Sequence, residues 1–302
     1  MLGVRATAAR HAPPWLPIAA LGYGAAAVVA IPQGTVPLRT YAGVSTSAHI
    51  LDLTAGLALV AAGSVAWIQP RLRRTALLAM LAGVAWFAPD WEGWEGGPTI
   101  VRSLGAAAPP LFLALVFHLA LGFPSGRVGG RPARLAVVAV YTAAGVVSVG
   151  WALLRDPFAD PVCWRYCGAN AFLVHADAGL ALGLRDFWLR AAVAIGVLLA
   201  TVAGLRVYRA EQGEWRRLLP VLGPAAFLGL AEAAYAAALL HTRFENPRVG
   251  QFESAFLVRS LAATAVAFGV GRSVLDARRA RTAVSRLAAE LGAAPPPGTL
   301  AE

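Results

Sequence analysis

Apolar residues run in long blocks separated by short segments that are alternately arginine-bearing and acidic. A helix that crosses a bilayer core needs about 20 predominantly apolar residues. Eight blocks meet or approach that length, at roughly 15–31, 49–68, 75–90, 100–122, 134–154, 187–207, 217–240 and 252–271. The first is short, and the third is flanked by Arg71, Arg73 and Arg74. The pattern predicts an all-α fold: a polytopic membrane helix bundle of about eight transmembrane helices with a C-terminal cytoplasmic helix. Two regions follow, a transmembrane domain over 1–271 and a helix with a Pro-rich linker over 272–302.

Composition agrees with the pattern. Of 302 residues, 58% are hydrophobic and only 14% charged, against about 45–50% and about 25% in soluble domains. Mean hydropathy is +0.62. So few charges cannot cover the surface of a soluble domain this size. Disorder, collagen-like structure and a secreted disulfide scaffold are excluded on the same ground.

The net charge of +10 changes the picture only through its placement. All 26 basic residues are arginine, a bias that points, with abundant Ala, Gly and Pro, to a high-GC coding sequence. A basic chain raises the question of nucleic acid, but these arginines sit in loops between apolar blocks, so no nucleic-acid partner is expected. Arg5 and Arg10 precede the first block. Arg71, Arg73 and Arg74 follow the second; Arg127, Arg131 and Arg134 the fourth; Arg206, Arg209, Arg216 and Arg217 the sixth. Arg272, Arg278, Arg279, Arg281 and Arg286 follow the eighth. The opposite loops hold Asp90, Glu92, Glu95, Asp156, Asp160, Asp177 and Asp186. The positive-inside rule then places both termini in the cytoplasm of a bacterial plasma membrane. A rival topology treats Arg5, Arg10 and the stretch from Trp15 to Ile31 as a cleaved signal peptide, leaving seven spans.

Ionisable residues inside spans are costly and are usually paired or functional. Glu232 in the seventh block lies ~22 Å from its arginine-rich end, and Arg259 in the eighth ~18 Å from its own. An interhelical ion pair is expected, structural or ligand-coupled, with unpaired snorkelling of the arginine as the alternative. A second polar group is expected near the outer face. His49 and Asp52 share a helix face at i, i+3; Arg102 begins the fourth block and Glu253 the eighth. If the helices converge, these four residues rim a cavity for a small ligand. Trp91 and Trp94 flank Glu92 and are read as an interfacial belt or as a stacking platform. Pro109 and Pro110 should kink the fourth span. His118 is read as a hydrogen-bonding contact between helices. No cofactor or metal is called for.

Cys163 and Cys167 fall in the long loop 155–186. Outside the cytoplasm a disulfide persists, and this is the favoured reading, with free thiols and a metal site as the alternatives; the spacing fits no zinc template. In the tail, Val270, Ser273, Ala277, Ala280, Val284, Leu287 and Leu291 step alternately by three and four, a heptad seam of about three heptads. It reads as a parallel dimer helix or as an interfacial helix on anionic lipid. Gly292 and Pro295–Pro297 end it.

Three segments, in order, carry a resemblance. The fourth span ends Phe117-His118-Leu119-Ala120-Leu121-Gly122-Phe123-Pro124-Ser125-Gly126-Arg127. The long loop reads Arg155-Asp156-Pro157-Phe158-Ala159-Asp160-Pro161, then Cys163, Cys167, Asn170 and Leu173-Val174. The tail reads Arg281-Thr282-Ala283-Val284, Leu287, Glu290-Leu291-Gly292, then Pro295-Pro296-Pro297-Gly298. Together they resemble the multi-pass membrane sensor region of two-component sensor histidine kinases from high-GC bacteria. The resemblance implies a sensor that passes an external or membrane signal to a cytoplasmic kinase region or a response regulator. It also implies a homodimer through the C-terminal helix, in contact with membrane lipid. The cytoplasmic segments of these 302 residues hold no phosphate-cradling glycine loop, and no histidine follows His241. No kinase activity is therefore expected of them alone: they read as a sensor module, a truncated kinase or a fragment.

Two other function classes compete. A transporter or channel is the first alternative, although no internal repeat is evident and one Pro-Pro break is not the pair such folds use. A membrane-embedded enzyme is less favoured. A serine protease needs a Ser–His arrangement, and Ser125 sits in a loop rather than within a buried helix; no spaced aspartate pair or metal-binding histidine cluster marks the spans.

Overall fold

The computed structural model describes residues 16–30, 40–94, 96–159, 168–211, 213–242 and 249–293. Every regular element among them is helical. In order these are α1 (Leu16–Ala30), α2 (Thr46–Trp67), α3 (Arg73–Trp86), α4 (Ala88–Glu92), α5 (Thr99–Ala107), α6 (Pro109–Gly122), α7 (Arg131–Leu154), α8 (Ala178–Tyr208), α9 (Trp215–His241) and α10 (Gly250–Ala293).

Five helices, α2, α7, α8, α9 and α10, are long and apolar enough to cross a membrane. A sixth crossing arises if α5 and α6 count as one span, broken by a 50° bend. The bend follows from Pro109 and Pro110. Proline lacks the N–H that continues a helix, and its ring clashes with the preceding turn. α5 therefore stops at Ala107, and Pro109 opens α6 at the first helical position, where the missing N–H costs nothing. The expected eight blocks include two that form shorter helices: α1 has 15 residues and α3 has 14. The block at 75–90 divides because the chain turns at Phe87 and restarts as α4. The sixth block begins earlier than expected, at Ala178. Asp177 caps α8 there by accepting the Leu180 N–H at 2.9 Å, a standard N-cap interaction.

α6 occupies the middle. Phe112 through Phe117 and Leu119 through Gly122 are buried, so the helix is apolar on every face, as a core helix is. α3, α7, α8 and α9 pack against it, and α10 packs between α9 and α2. Without a hydrophobic drive between helices in lipid, association depends on close packing at small residues. Gly196 of α8 faces Gly229 of α9, and a Cβ on either would run into the other's carbonyl oxygen.

The two ends of the bundle differ. At one end, Gly126 takes φ +70°, a region glycine enters without strain. This lets the 123–130 turn fold onto Arg74 and Thr75, and the Thr75 hydroxyl donates to the Pro124 carbonyl at 2.5 Å. Arg206 of α8 reaches the same turn and donates to the carbonyls of Ala120, Leu121 and Phe123 at 2.6, 3.1 and 2.8 Å. These are the orphan acceptors at the end of α6. At the other, acidic end, Arg155 pairs with Glu92 at 2.9 Å, and the Ser45 hydroxyl donates to Glu253 at 2.7 Å.

α10 is the longest element, 44 residues or about 66 Å. Among the residues whose side chains are described, Val274, 1% exposed, is the last that is buried, whereas Val284 is 66% exposed. The seam residues Ala277 and Ala280 are half-buried and exposed. Leu287 and Leu291 lie on the same helix, outside the residues whose side chains are described. Cys163, Cys167 and Pro295–Pro297 lie outside the described residues altogether.

Candidate functional site

Trp86, the last residue of α3, organises the acidic half of the bundle. Its indole N–H donates to Asp52 Oδ1 of α2 at 2.8 Å, and lies 3.2 Å from the Asp52 carbonyl. Its ring meets Phe112 of α6 edge-on at 5.0 Å and stacks with Phe256 of α10 at 5.9 Å. Phe256 in turn stacks on Tyr41 at 4.6 Å. A buried tryptophan needs a partner for its one donor, and Asp52 supplies it.

Glu232 and Arg259 meet on α9 and α10. Arg259 Nε donates to Glu232 Oε1 at 2.7 Å. The guanidinium also lies over the Tyr235 ring, 4.3 Å from its centroid. Glu232 and Tyr235 stand at i, i+3 on α9 and so present one carboxylate and one π face to the same cation. The pair is largely out of solvent, with side-chain exposures of 9% and 16%. It is also charge-assisted, the strong kind of hydrogen bond.

Asp52 has a second acidic neighbour. Asp90, on the short α4, is buried and accepts from the Thr40 hydroxyl at 2.6 Å. It lines the same cavity as Asp52, near enough for the two carboxyl groups to interact. Asp52 Oδ2 is fully buried and has no donor among the described residues. Two carboxyl groups this close cannot both ionise cheaply, and neither offers the other a hydrogen unless a proton or an outside donor lies between them.

These groups wall a cavity of about 320 Å3. It extends from Asp156 and Arg185 at the acidic end to Glu232 and Arg259. Five carboxyl groups (Asp52, Asp90, Glu92, Asp156, Glu232) face it, against three guanidinium groups (Arg155, Arg185, Arg259), so its wall carries an acid excess. Aromatic rings from six helices, with Tyr41 before α2, supply the apolar wall, and the volume and mixture suit a small organic ligand.

The structure places the expected site residues unevenly. Glu232 and Arg259 are brought together, and they share one cavity with Asp52. Arg102 instead lines a smaller neighbouring space of about 30 Å3, where its Nε lies 3.4 Å from the Glu92 carbonyl. Glu253 accepts from Ser45, and His49 is half-buried in the first turn of α2; neither walls the cavity. The expected four-residue rim therefore does not assemble, because α10 starts beside the N-cap of α2 and its inward face there is Phe252 and Phe256 rather than Glu253.

Other contacts were not anticipated. Asp90 reads in sequence as one more loop acid, yet it forms an aspartate pair with Asp52. Trp86, Trp151 and Trp188 wall the cavity, whereas Trp91 and Trp94 pack on the core. Tyr235 was the legible miss, since its i, i+3 spacing from Glu232 is visible in the chain. His118 contacts Tyr141 across α6 and α7, ring nitrogen to hydroxyl at 3.3 Å. Among the described residues, no group of three His, Cys, Asp or Glu side chains is placed to hold a metal ion. Compared with known proteins, the chain matches no family model, no curated protein and no solved structure.

Proposed function

We propose that the chain is the integral membrane sensor module of a two-component histidine kinase system, taking an external or membrane-borne small ligand in the cavity. One observation carries this reading: a single helix, α10, contributes Phe256 and Arg259 to the cavity wall and then runs ~28 Å beyond Val274, the last residue buried among those whose side chains are described. A sensor needs an element that touches the ligand and also carries two arrangements to the far side. In this reading the acidic end faces outward and the arginine-rich end faces the cytoplasm. α1 and the α3–α4 segment complete eight crossings of a bacterial plasma membrane, and both termini are cytoplasmic. Two copies associate through the seam of α10, with anionic lipid around its arginines, and the seam delivers the signal to a cytoplasmic kinase region or response regulator.

A second reading, a small-molecule transporter, has one specific support. The break between α5 and α6 faces the cavity through Ala106, Pro109 and Pro110, and broken helices at a binding site are a transporter device. The two readings differ in access. With the native cysteines replaced by serine, Ala85→Cys puts a thiol in the cavity wall. A sensor predicts its reaction with a membrane-impermeant thiosulfonate from the acidic side only. Reaction from both sides of oriented vesicles would refute the sensor and establish alternating access.

A further inference from the structure

We infer that the cavity takes a small protonated amine, seated with its ammonium on Asp52 and its apolar body against Trp86, Phe112 and Phe256. This deepens the sensor reading, on which it rests, by naming the ligand's chemical class.

Charge comes first. Arg259 is matched by Glu232 at 2.7 Å, and Arg155 by Glu92 at 2.9 Å. Arg185 has Asp186 at 3.8 Å outside the wall. Among the described residues, the acids left without a counter-ion on the wall are the buried Asp52 and Asp90, with Asp156 at the acidic end. An anionic ligand would meet those carboxylates while both deep guanidinium groups are already engaged.

Hydrogen bonding points the same way. Asp52 is 2% exposed, its Oδ1 is taken by the Trp86 indole, and its Oδ2 has no donor among the described residues. An unmatched buried acceptor is costly, more so when charged. The torsion that turns a carboxyl about its own axis is soft, so a small rotation presents Oδ2 to the cavity. An ammonium N–H supplies the missing donor and a counter-charge for the pair. A single proton shared with Asp90 does the same job less completely. A carboxylate or neutral ligand does neither.

The walls suit the rest of such a ligand. Aromatic faces attract cations, and the Tyr235 face is already used in this way by Arg259 at 4.3 Å. Arg259 also lies 6.0 Å from the Trp86 ring centroid, and Trp86, Phe112 and Phe256 form the apolar surface beside Asp52.

The test uses the full chain in lipid nanodiscs, titrated by calorimetry and by tryptophan fluorescence. The probes are 2-phenylethylamine, its neutral analogue 2-phenylethanol, its acid analogue 3-phenylpropanoate and its trimethylammonium derivative. The amine should bind saturably and at least about tenfold more tightly than the other three, the scale of one charged hydrogen bond. Asp52→Asn should lose at least about tenfold of that affinity. The unmodified chain's own selectivity decides the matter even if the variant does not fold. Three results would each overturn the inference: equal or tighter binding of the acid or alcohol, equal binding of the trimethyl derivative, or no saturable amine binding. Acid binding that still shifts the α10 tail would remove the amine assignment and leave the sensor reading standing. Amine binding with an unmoved tail would do the reverse.

Discussion

Breaking the Glu232–Arg259 pair gives the sharpest energetic consequence of this architecture. Glu232→Leu removes the carboxylate 2.7 Å from Arg259 Nε and leaves a guanidinium that is only 16% exposed without its counter-ion. Removing one partner of a buried ion pair costs about 3–5 kcal/mol. The Tyr235 ring beneath the cation retains about 0.5–2 kcal/mol of that, so a net loss near 3 kcal/mol is expected. This exceeds the ~0.6 kcal/mol mean for hydrogen bonds between membrane helices, because a full charge is stranded. Replacing both residues by leucine removes charge and counter-charge together and should return stability to within about 2 kcal/mol of the original. The double-mutant cycle should then show coupling of at least about 2 kcal/mol. Reversible SDS unfolding of the chain in bicelles measures all four corners. Coupling below about 0.5 kcal/mol would show that the pair does not tie α9 to α10, and would refute the reasoning.

Other consequences are as direct. Asp52→Asn relieves the carboxyl–carboxyl interaction with Asp90 and gives that pair a donor, so the ligand-free variant should unfold at the same or a higher temperature while amine binding is lost; a clear drop in Tm, with binding intact, would contradict this. Gly196→Ala drives a methyl into the Gly229 carbonyl at the α8–α9 crossing and should cost about 1–3 kcal/mol in the same unfolding assay, whereas Gly204→Ala, with open space around its Cβ position, should cost nothing measurable. Arg206→Gln strips the end of α6 of its charged donor and should destabilise by about 1.5–3 kcal/mol; Arg206→Lys should recover only part of it, because one ammonium cannot span three carbonyls.

Hydropathy made the helical membrane class legible, because twenty apolar residues in a row have few other uses. Among the described residues, five helices are long enough to cross alone, and shorter ones arise where the chain turns inside an apolar block. Phe87 ends α3 early, and Pro109 divides α5 from α6. Glu232 and Arg259 stood out because charge inside an apolar block is costly wherever it occurs, and matching depths suggested contact. Asp90 gave no such signal: it lies in the polar stretch after α3, and its burial depends on how α4 folds back beneath Thr40. Glu253 and His49 misled for the same reason. A residue at the start of a helix has its depth set by sequence but its facing set by packing, and Phe252 and Phe256 took the inward face of α10.

The central claim is that filling the cavity moves the exposed end of α10. The direct measurement is the distance between spin labels at Arg131→Cys, beside the arginine-rich end, and Val284→Cys on the tail, by pulsed electron resonance in nanodiscs with the native cysteines removed. The cavity is filled in two independent ways: by saturating 2-phenylethylamine, and by Ala236→Trp, which places an indole among the wall residues. Both should displace the tail in the same direction by on the order of 1–2 Å, the scale of helix shifts in such switches. Distance distributions that stay the same under both perturbations would mean that α10 does not couple cavity to tail, and the sensor reading would fall.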